Sequence, residues 1–312
     1  KGTRMKSNRC KVLHEVAGRP MIAYVLDSAR AAGINEVCLV VGHQADSVKE
    51  RVGSQDIRFA LQEPQLGTGH AVDAARDFFT DFDGNVLILC GDIPLVKSST
   101  LRSMMDFHES GNGQLTVMTA VVENPHGYGR IRKSESGFIK RVVEERDADD
   151  ELRRINEINA GVYIVDSRLL FDLLGRLKPN IAQGEYCPPD ILHEADSDGV
   201  TVHAFRVNDF SEASGVNSRA DLAYVAKRIY REIGEKHMSN GVTIIDPYNT
   251  YIDWEVTIGI DTTIWPGVVI AGPSQIGERC VIEPHVFISD CHVGDDSKIL
   301  LGSRLNQAII SH

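Results

Sequence analysis

The chain predicts an α/β protein: a Rossmann-like domain with a doubly wound parallel sheet, then a linker helix, then the start of a left-handed parallel β-helix of hexapeptide repeats. Three observations carry that expectation. Continuously apolar runs of strand length, Val37–Val41 and 86–90, alternate with helical segments, the pattern of strands buried beneath helices. A helical stretch runs from Arg219 to about Lys236. Beyond it Ile252, Ile258, Ile264, Ile270, Ile276, Ile282 and Ile288 recur at intervals of six, and Val293, Ile299 and Leu305 continue the series after a one-residue slip. A fixed short period marks a solenoid, and an aliphatic every sixth residue fits a triangular prism with one such side chain per wall.

Taken in order, 20–32 has the helical pattern, with Pro20 in the first turn and Gly33 as the stop. A strand at Val37–Val41, a short helix over 47–52, a strand at Ile57–Leu61, a helix over 69–79, a strand over 86–90 and a helix over 99–108 follow. In such sheets ligands sit outside the carboxyl ends of the strands. From Leu115 the pattern turns to strands and hairpins. The expected division is a first domain at 1–218, a linker helix at 219–240 and an incomplete β-helix of about three coils at 241–312.

Length and charge narrow the class. At 312 residues two domains are expected. The net charge of −11 argues against nucleic acid or an anionic membrane as partner. Cys10, Cys38, Cys90, Cys187, Cys280 and Cys291 are scattered without Cys-x-x-Cys spacing, the usage of reduced thiols in a cytoplasmic protein. No apolar run approaches the length of a membrane span.

Positive charge is concentrated at the start, where five of the eleven residues 1–11 are Lys or Arg around a Gly-Thr pair. That composition can grip a polyphosphate through cationic heads and backbone N–H groups, or be a solvated basic terminus. Asp92 directly follows the 86–90 strand, where a carboxylate can hold Mg²⁺ or cap the next helix. Gln62, five residues before the Gly67-Thr68-Gly69 turn, carries a donor and an acceptor suited to a pyrimidine edge. Asn217 sits just before the 219–236 helix, a natural N-cap. Glu144 ends a strand, where a solvated carboxylate is equally ordinary.

The segments Gly2-Thr3-Arg4-Met5, Lys11-Val12-Leu13 and Gly18-Arg19-Pro20 resemble the signature loop of the sugar-1-phosphate nucleotidyltransferases. Within that group the chain is most similar to the bacterial bifunctional N-acetylglucosamine-1-phosphate uridylyltransferases that are also glucosamine-1-phosphate N-acetyltransferases. Gln62 to Ala71, Gly91-Asp92-Ile93-Pro94-Leu95, Gly127 to Ile131, Val142 to Glu145, Ile158 to Tyr163 and Gly215 to Arg219 extend the resemblance. It implies Mg²⁺-dependent transfer of UMP from UTP to N-acetyl-α-D-glucosamine 1-phosphate. Asp92 and Asn217 are then the metal ligands, and Lys11 stabilises the α-phosphoryl oxygens. Arg4 and Lys1, with Gly2, hold the departing pyrophosphate. Gln62, Gly67 and Thr68 bind uracil; Gly129, Glu144 and Asn159 bind the sugar.

Two further expectations come from the resemblance. A buried strand should precede Lys1, and later coils than those present should carry the acetyl-CoA site and complete a homotrimer. At Cys187-Pro188-Pro189-Asp190 the chain departs from the family's aromatic and hydroxyl residues, which puts one polar contact to the sugar in doubt. His285 and His292 read as hexad-corner residues. Two other readings remain: a hexapeptide acyltransferase whose first domain is a non-catalytic scaffold, and a nucleotide-sensing module on a trimeric stalk.

Overall fold

The segment Leu-Thr-Val-Met-Thr-Ala-Val at 115–121 offers apolar or β-branched side chains to both faces of a pleat, which suits a strand covered on both sides. It lies inside a six-stranded sheet in the computed structural model, which describes residues 3–53, 56–111, 113–177 and 188–311. Two compact units are present: one spans Ile22–Gly215, and the other joins the described residues up to Met21 with those from Val216 onwards.

In chain order the elements are β1 (Glu15–Val16), β2 (Arg19–Pro20), α1 (Met21–Ala31), β3 (Val37–Val41), α2 (Ala45–Val52), β4 (Ile57–Leu61), α3 (Gly67–Asp73) and β5 (Asn85–Ile88). They continue with α4 (Ser98–Ser110), β6 (Leu115–Val121), β7 (Arg130–Lys133), β8 (Ile139–Val143), β9 (Glu157–Asp166), α5 (Ser167–Arg176), α6 (Pro188–Ser197), β10 (Val202–Arg206) and α7 (Arg219–Ser239).

In the first unit the sheet order is β5-β9-β6-β10-β8-β7. One face, with Leu115, Val117, Tyr163 and Val165, packs on Leu170, Leu173 and Leu174 of α5 and Ile191, Leu192 and Ala195 of α6. The other, with Met118, Ala120, Ile158, Val162 and Ile164, packs on Val25 of α1 and Leu101 and Met104 of α4. Helices therefore cover both faces, as expected of a doubly wound fold.

The sheet itself is mixed, not all parallel. β6 and β10 are the one pair of parallel neighbours described in it, because β9 and β8 run against the other strands and β9, ten residues long, passes between β5 and β6. β3 and β4 form a separate parallel pair. The apolar run of β3, expected to be fully buried, is half-buried except at Val41, since among the described residues β4 is its sole ladder partner. Helix bounds shift too: Pro20 ends a hairpin strand, and the 69–79 pattern divides into α3 and a 3-10 turn at Arg76–Phe79. Pro188 and Pro189 open α6, where a missing N–H costs nothing; Cys187 and residues 183–186 lie outside the described residues.

In the second unit β1 and β2 make a hairpin whose two turn residues, Ala17 and Gly18, both have positive φ (47° and 76°), the twist that a two-residue hairpin needs. The Ala17 carbonyl accepts from Trp254 N–H at 3.0 Å, and the Tyr230 hydroxyl of α7 donates to Asp253 at 3.2 Å. Burial holds the Asp253 carboxyl above the usual carboxylate range, and burial beside Asp253 raises Tyr230.

The solenoid has three parallel sheets of four rungs each. Ile244, Ile264, Ile282 and Ile299 stack on one wall, Ile252, Ile270, Ile288 and Leu305 on the next, and Ile258, Ile276, Val293 and Ile310 on the third. The hexad series gave about three coils because Ile244 stands eight residues before Ile252, out of register, so the first rung was invisible to a strict period. A second interior column lies two residues ahead of each wall residue: Val256, Thr262, Val268, Ser274, Cys280, Val286, Cys291 and Ser297 are all buried. Their hydroxyls are satisfied by backbone carbonyls, Thr262 on Gly277 at 2.8 Å and Ser274 on Ala271 at 2.7 Å. Cys280 and Cys291 are thus small corner fillers, buried free thiols. His285 is a corner residue with φ 58°, whereas His292 begins a strand.

Three histidines tie stability to pH. His14, His108 and His237 are buried, and desolvation of the charged form pulls each below its ordinary value of 6.5. Positive neighbours add to this, Arg219 at His14 and Lys236 at His237. The unfolded chain therefore binds more protons than the folded one as pH falls through about 6.5, and stability drops by at most about 1.4 kcal/mol per pH unit for each group. Asp253 acts in the opposite sense, keeping in the folded chain a proton that the unfolded chain gives up near 3.8, but it is one group against three. Thermal unfolding is expected at a lower temperature at pH 5.5 than at pH 7.5; equal midpoints would contradict this account.

Candidate active site

In the first unit the predicted base-reading residues come together. β4 ends at Leu61, and Gln62 donates from Nε2 to the Gly67 carbonyl at 2.7 Å, with His70 Nδ1 3.3 Å away. Gly67 takes φ 93°, which only glycine adopts without strain, and Thr68 is exposed on the first turn of α3. The donor end of Gln62 is therefore already engaged, and its carbonyl oxygen is the atom left to meet a ligand. His70 was not singled out from the sequence; its place three residues after Gly67, on the next turn of α3, is the signal that marks it.

The predicted sugar residues also meet. A Cβ on Gly129 would fall 2.5 Å from Val142 Cγ1 and 3.3 Å from Glu144 Oε1, so the glycine lets this backbone lie against the Glu144 side chain. The Asn159 N–H donates to the Gly129 carbonyl at 2.9 Å. Between the pairs Val117↔Tyr163 and Thr119↔Asn159, three residues of β9 face one of β6, a bulge whose middle residue, Gly161, has φ 74°. The bulge turns the Asn159 amide so that its Nδ2 donates to the Tyr163 hydroxyl at 2.7 Å and its Oδ1 accepts from Gly161 N–H at 3.0 Å. One amide hydrogen and one lone pair of Asn159 remain for a ligand. Gly161 and Tyr163 are thus supports that the sequence reading passed over.

Asp92 follows the carboxyl end of β5. Its loop is anchored by Cys90, whose Sγ lies 3.8 Å from the Gly161 carbonyl, and by the buried run Ile93, Leu95 and Val96. The edge of the β9 bulge and the Asp92 loop therefore adjoin. Asp92 is half-exposed and, given the N-cap position of Lys97, is not the cap of α4.

In the second unit Lys11 opens a 3-10 turn, Lys11–Leu13, held down by buried Leu13. Its Nζ donates to Asn217 Oδ1 at 3.2 Å, across 206 residues of sequence. The alternative for Asn217, a helix cap, is removed: the cap of α7 is Ser218, in a capping box with Asp221. Arg4 lies exposed in the turn Thr3–Met5, whose Met5 carbonyl accepts from Arg219 at 3.2 Å. Lys1 and Gly2 lie outside the described residues.

Asp92 in the first unit carries a carboxylate and Asn217 in the second an amide oxygen, each a donor of the kind a hard cation takes, and no group of three or more His, Cys, Asp and Glu exists among the described residues. That suits Mg²⁺, which takes one or two protein oxygens and completes its shell with water and phosphate.

Residues 1–210 match the family model for nucleotidyl transferases, and residues 255–290 match the bacterial transferase hexapeptide model of six repeats. The fold is similar to that of an apo UDP-glucose pyrophosphorylase, with a TM-score of 0.60 and 18% identity over 74% of this chain and 95% of that one. A putative glucose-1-phosphate thymidylyltransferase from Bacillus anthracis gives a TM-score of 0.58 at 19% identity, covering 73% of this chain and 90% of that one. The protein named bifunctional protein GlmU of Pelobacter propionicus is 48% identical over 309 residues, 99% of this chain and 67% of its own length. Its namesake in Geotalea uraniireducens is 48% identical over 311 residues, 99% of this chain and 68% of its length. The chain thus spans about two thirds of the curated relatives it matches, and kinship at this level over nearly all its residues places it in their family. It belongs to the bifunctional GlmU proteins, with a nucleotidyl transferase region followed by hexapeptide repeats.

Proposed function

We propose that the chain catalyses uridylyl transfer: a phosphate oxygen of N-acetyl-α-D-glucosamine 1-phosphate attacks the α-phosphorus of UTP, and pyrophosphate leaves as UDP-N-acetylglucosamine forms. The sugar phosphate is a competent nucleophile near neutral pH, so no nucleophile-activating relay is needed. The protein's work is to align two polyanions and stabilise charge in the transition state. Lys11 faces the α-phosphoryl oxygens, and Arg4 with Lys1 and Gly2 holds the leaving pyrophosphate. Gln62, Gly67 and Thr68 take the base, and Gly129, Glu144 and Asn159 the sugar. Mg²⁺ held by Asp92 and Asn217 would neutralise phosphate charge. The functional division we adopt is transferase at 1–218, linker helix at 219–240 and β-helix at 241–312.

The observation that most directly supports this reading is the Lys11 to Asn217 bond, because both residues were picked out for phosphate and metal, and the capping role of Asn217 has passed to Ser218. A screen of pyrophosphate release, crossing four nucleoside triphosphates with several sugar 1-phosphates in the presence of Mg²⁺, tests it. Release is expected with UTP and N-acetylglucosamine 1-phosphate and is expected to cease with excess chelator. Release that persists without metal, or that ignores the base, contradicts it.

The repeat match and the bifunctional name of the relatives favour a second reading: acetyl transfer from acetyl-CoA to glucosamine 1-phosphate. Release of free thiol from acetyl-CoA would report it. Exposed Trp265, Leu300, Leu301 and Ile309 on the solenoid suit assembly of a homotrimer, which sedimentation would reveal. No described helix is long and apolar enough to cross a membrane; the free thiols of Cys10, Cys38, Cys90, Cys280 and Cys291 support our placing the protein in the cytoplasm.

A further inference from the structure

We propose that His70 is a specificity-determining positioning residue, which together with the Gly67 carbonyl fixes the Gln62 amide with its oxygen outward and so selects nucleobases bearing an imide N–H. This rests on the reading of Gln62 as the base contact. Gln62 Nε2 lies 2.7 Å from Gly67 O and 3.3 Å from His70 Nδ1. A carbonyl oxygen only accepts, so the end of the amide turned towards Gly67 is the nitrogen. That nitrogen has two hydrogens and no lone pair to offer, so His70 Nδ1 must accept the second. The imidazole is therefore neutral with its proton on Nε2. Both donors of Gln62 are consumed, and Oε1 is what a base meets.

An acceptor in that position discriminates by chemistry. Uracil and thymine carry N3–H between two carbonyls and can donate to Oε1. Cytosine and adenine present a bare ring nitrogen at the matching edge, so two lone pairs would oppose one another. Without His70 one of the two anchors is lost, and the amide is free to swing or turn over and meet cytosine with its nitrogen.

The test measures kcat/KM for UTP, dTTP, CTP and ATP with N-acetylglucosamine 1-phosphate and Mg²⁺, in the parent, His70→Phe and His70→Asn. Loss of one hydrogen bond predicts a fall of about five- to tenfold for UTP in His70→Phe. The value for CTP should not fall, and should rise as far as the freed amide turns its nitrogen outward. His70→Asn, whose Oδ1 can stand where Nδ1 stood, should recover most of the UTP rate and the preference over CTP. Equal losses for UTP and CTP, or none, overturn the proposal. Independently of any variant, ¹H–¹⁵N spectra of the histidine rings at neutral pH should place the His70 proton on Nε2; a proton on Nδ1 overturns it. A parent that releases pyrophosphate from none of the four nucleotides defeats the transferase reading and this inference together. A parent selective for UTP with a flat His70→Phe profile defeats this inference alone.

Discussion

Replacing Asp92 by alanine is expected to cut pyrophosphate release from UTP about a hundred- to a thousand-fold, and Lys11→Ala to do the same. Both variants should keep thermal unfolding within about 2 °C of the parent. The size follows from the chemistry. With no covalent intermediate and no proton relay, the barrier is lowered by preorganised charge, and removing one such contact costs about 3–4 kcal/mol of transition-state stabilisation. The silence in stability follows from position. Asp92 is half-exposed in a loop whose hold on the core comes from Ile93, Leu95 and Val96, which the substitution leaves in place. Lys11 is half-exposed at the head of a turn anchored by Leu13, and it gives up a bond to Asn217 that water can replace. A purified Asp92→Ala or Lys11→Ala protein with near-parental release would remove that residue from the chemistry. One that failed to unfold cooperatively would show a structural role instead.

What could be read from the sequence was what repeats or clusters locally. The β-helix was legible because Ile252 to Leu305 repeats a single requirement, one aliphatic per wall, ten times. Its interior partner column was not, since Val, Thr, Ser and Cys share small size there but no hydropathy. Asn217 was visible as a residue with two competing roles, and only the backbone at Ser218 separated them. The sheet order escaped because β9 reaches β5 and β6 from far along the chain, and alternation of strands and helices does not encode which strands pair. Gly161 looked like an ordinary strand glycine until its φ of 74° marked the bulge that aims Asn159. His70 lay within a quoted motif, yet its tie to Gln62 depends on where one helical turn brings a ring nitrogen.

Gly277→Ala is expected to destabilise the solenoid by about 3 kcal/mol, chiefly through contact with the backbone of the next rung. A Cβ built on Gly277 stands 2.6 Å from the Asp295 nitrogen and 2.9 Å from its Cα, in the next rung. Gly259, one rung before, would place its Cβ 2.7 Å from the Glu278 nitrogen in the same way. The Asp295 carboxylate, whose Oδ1 would lie 2.4 Å from the Gly277 Cβ, can turn aside, but the backbone contacts at both positions remain, so relief means parting the rungs. Parting them strains the hydrogen bond from Gly277 N–H to the Val293 carbonyl at 2.8 Å and that from Gly259 N–H to the Ile276 carbonyl at 2.9 Å. Because each coil is held by its neighbours, the disturbance is shared along the stack. The comparison variant is Ile260→Ala, beside the same column but half exposed to solvent, where a change within about 0.5 kcal/mol is expected. Denaturant titrations of the two variants and the parent decide the matter. If Gly277→Ala unfolds at the denaturant concentration of Ile260→Ala, the rungs can separate at little cost, and the glycine column is not what sets their spacing.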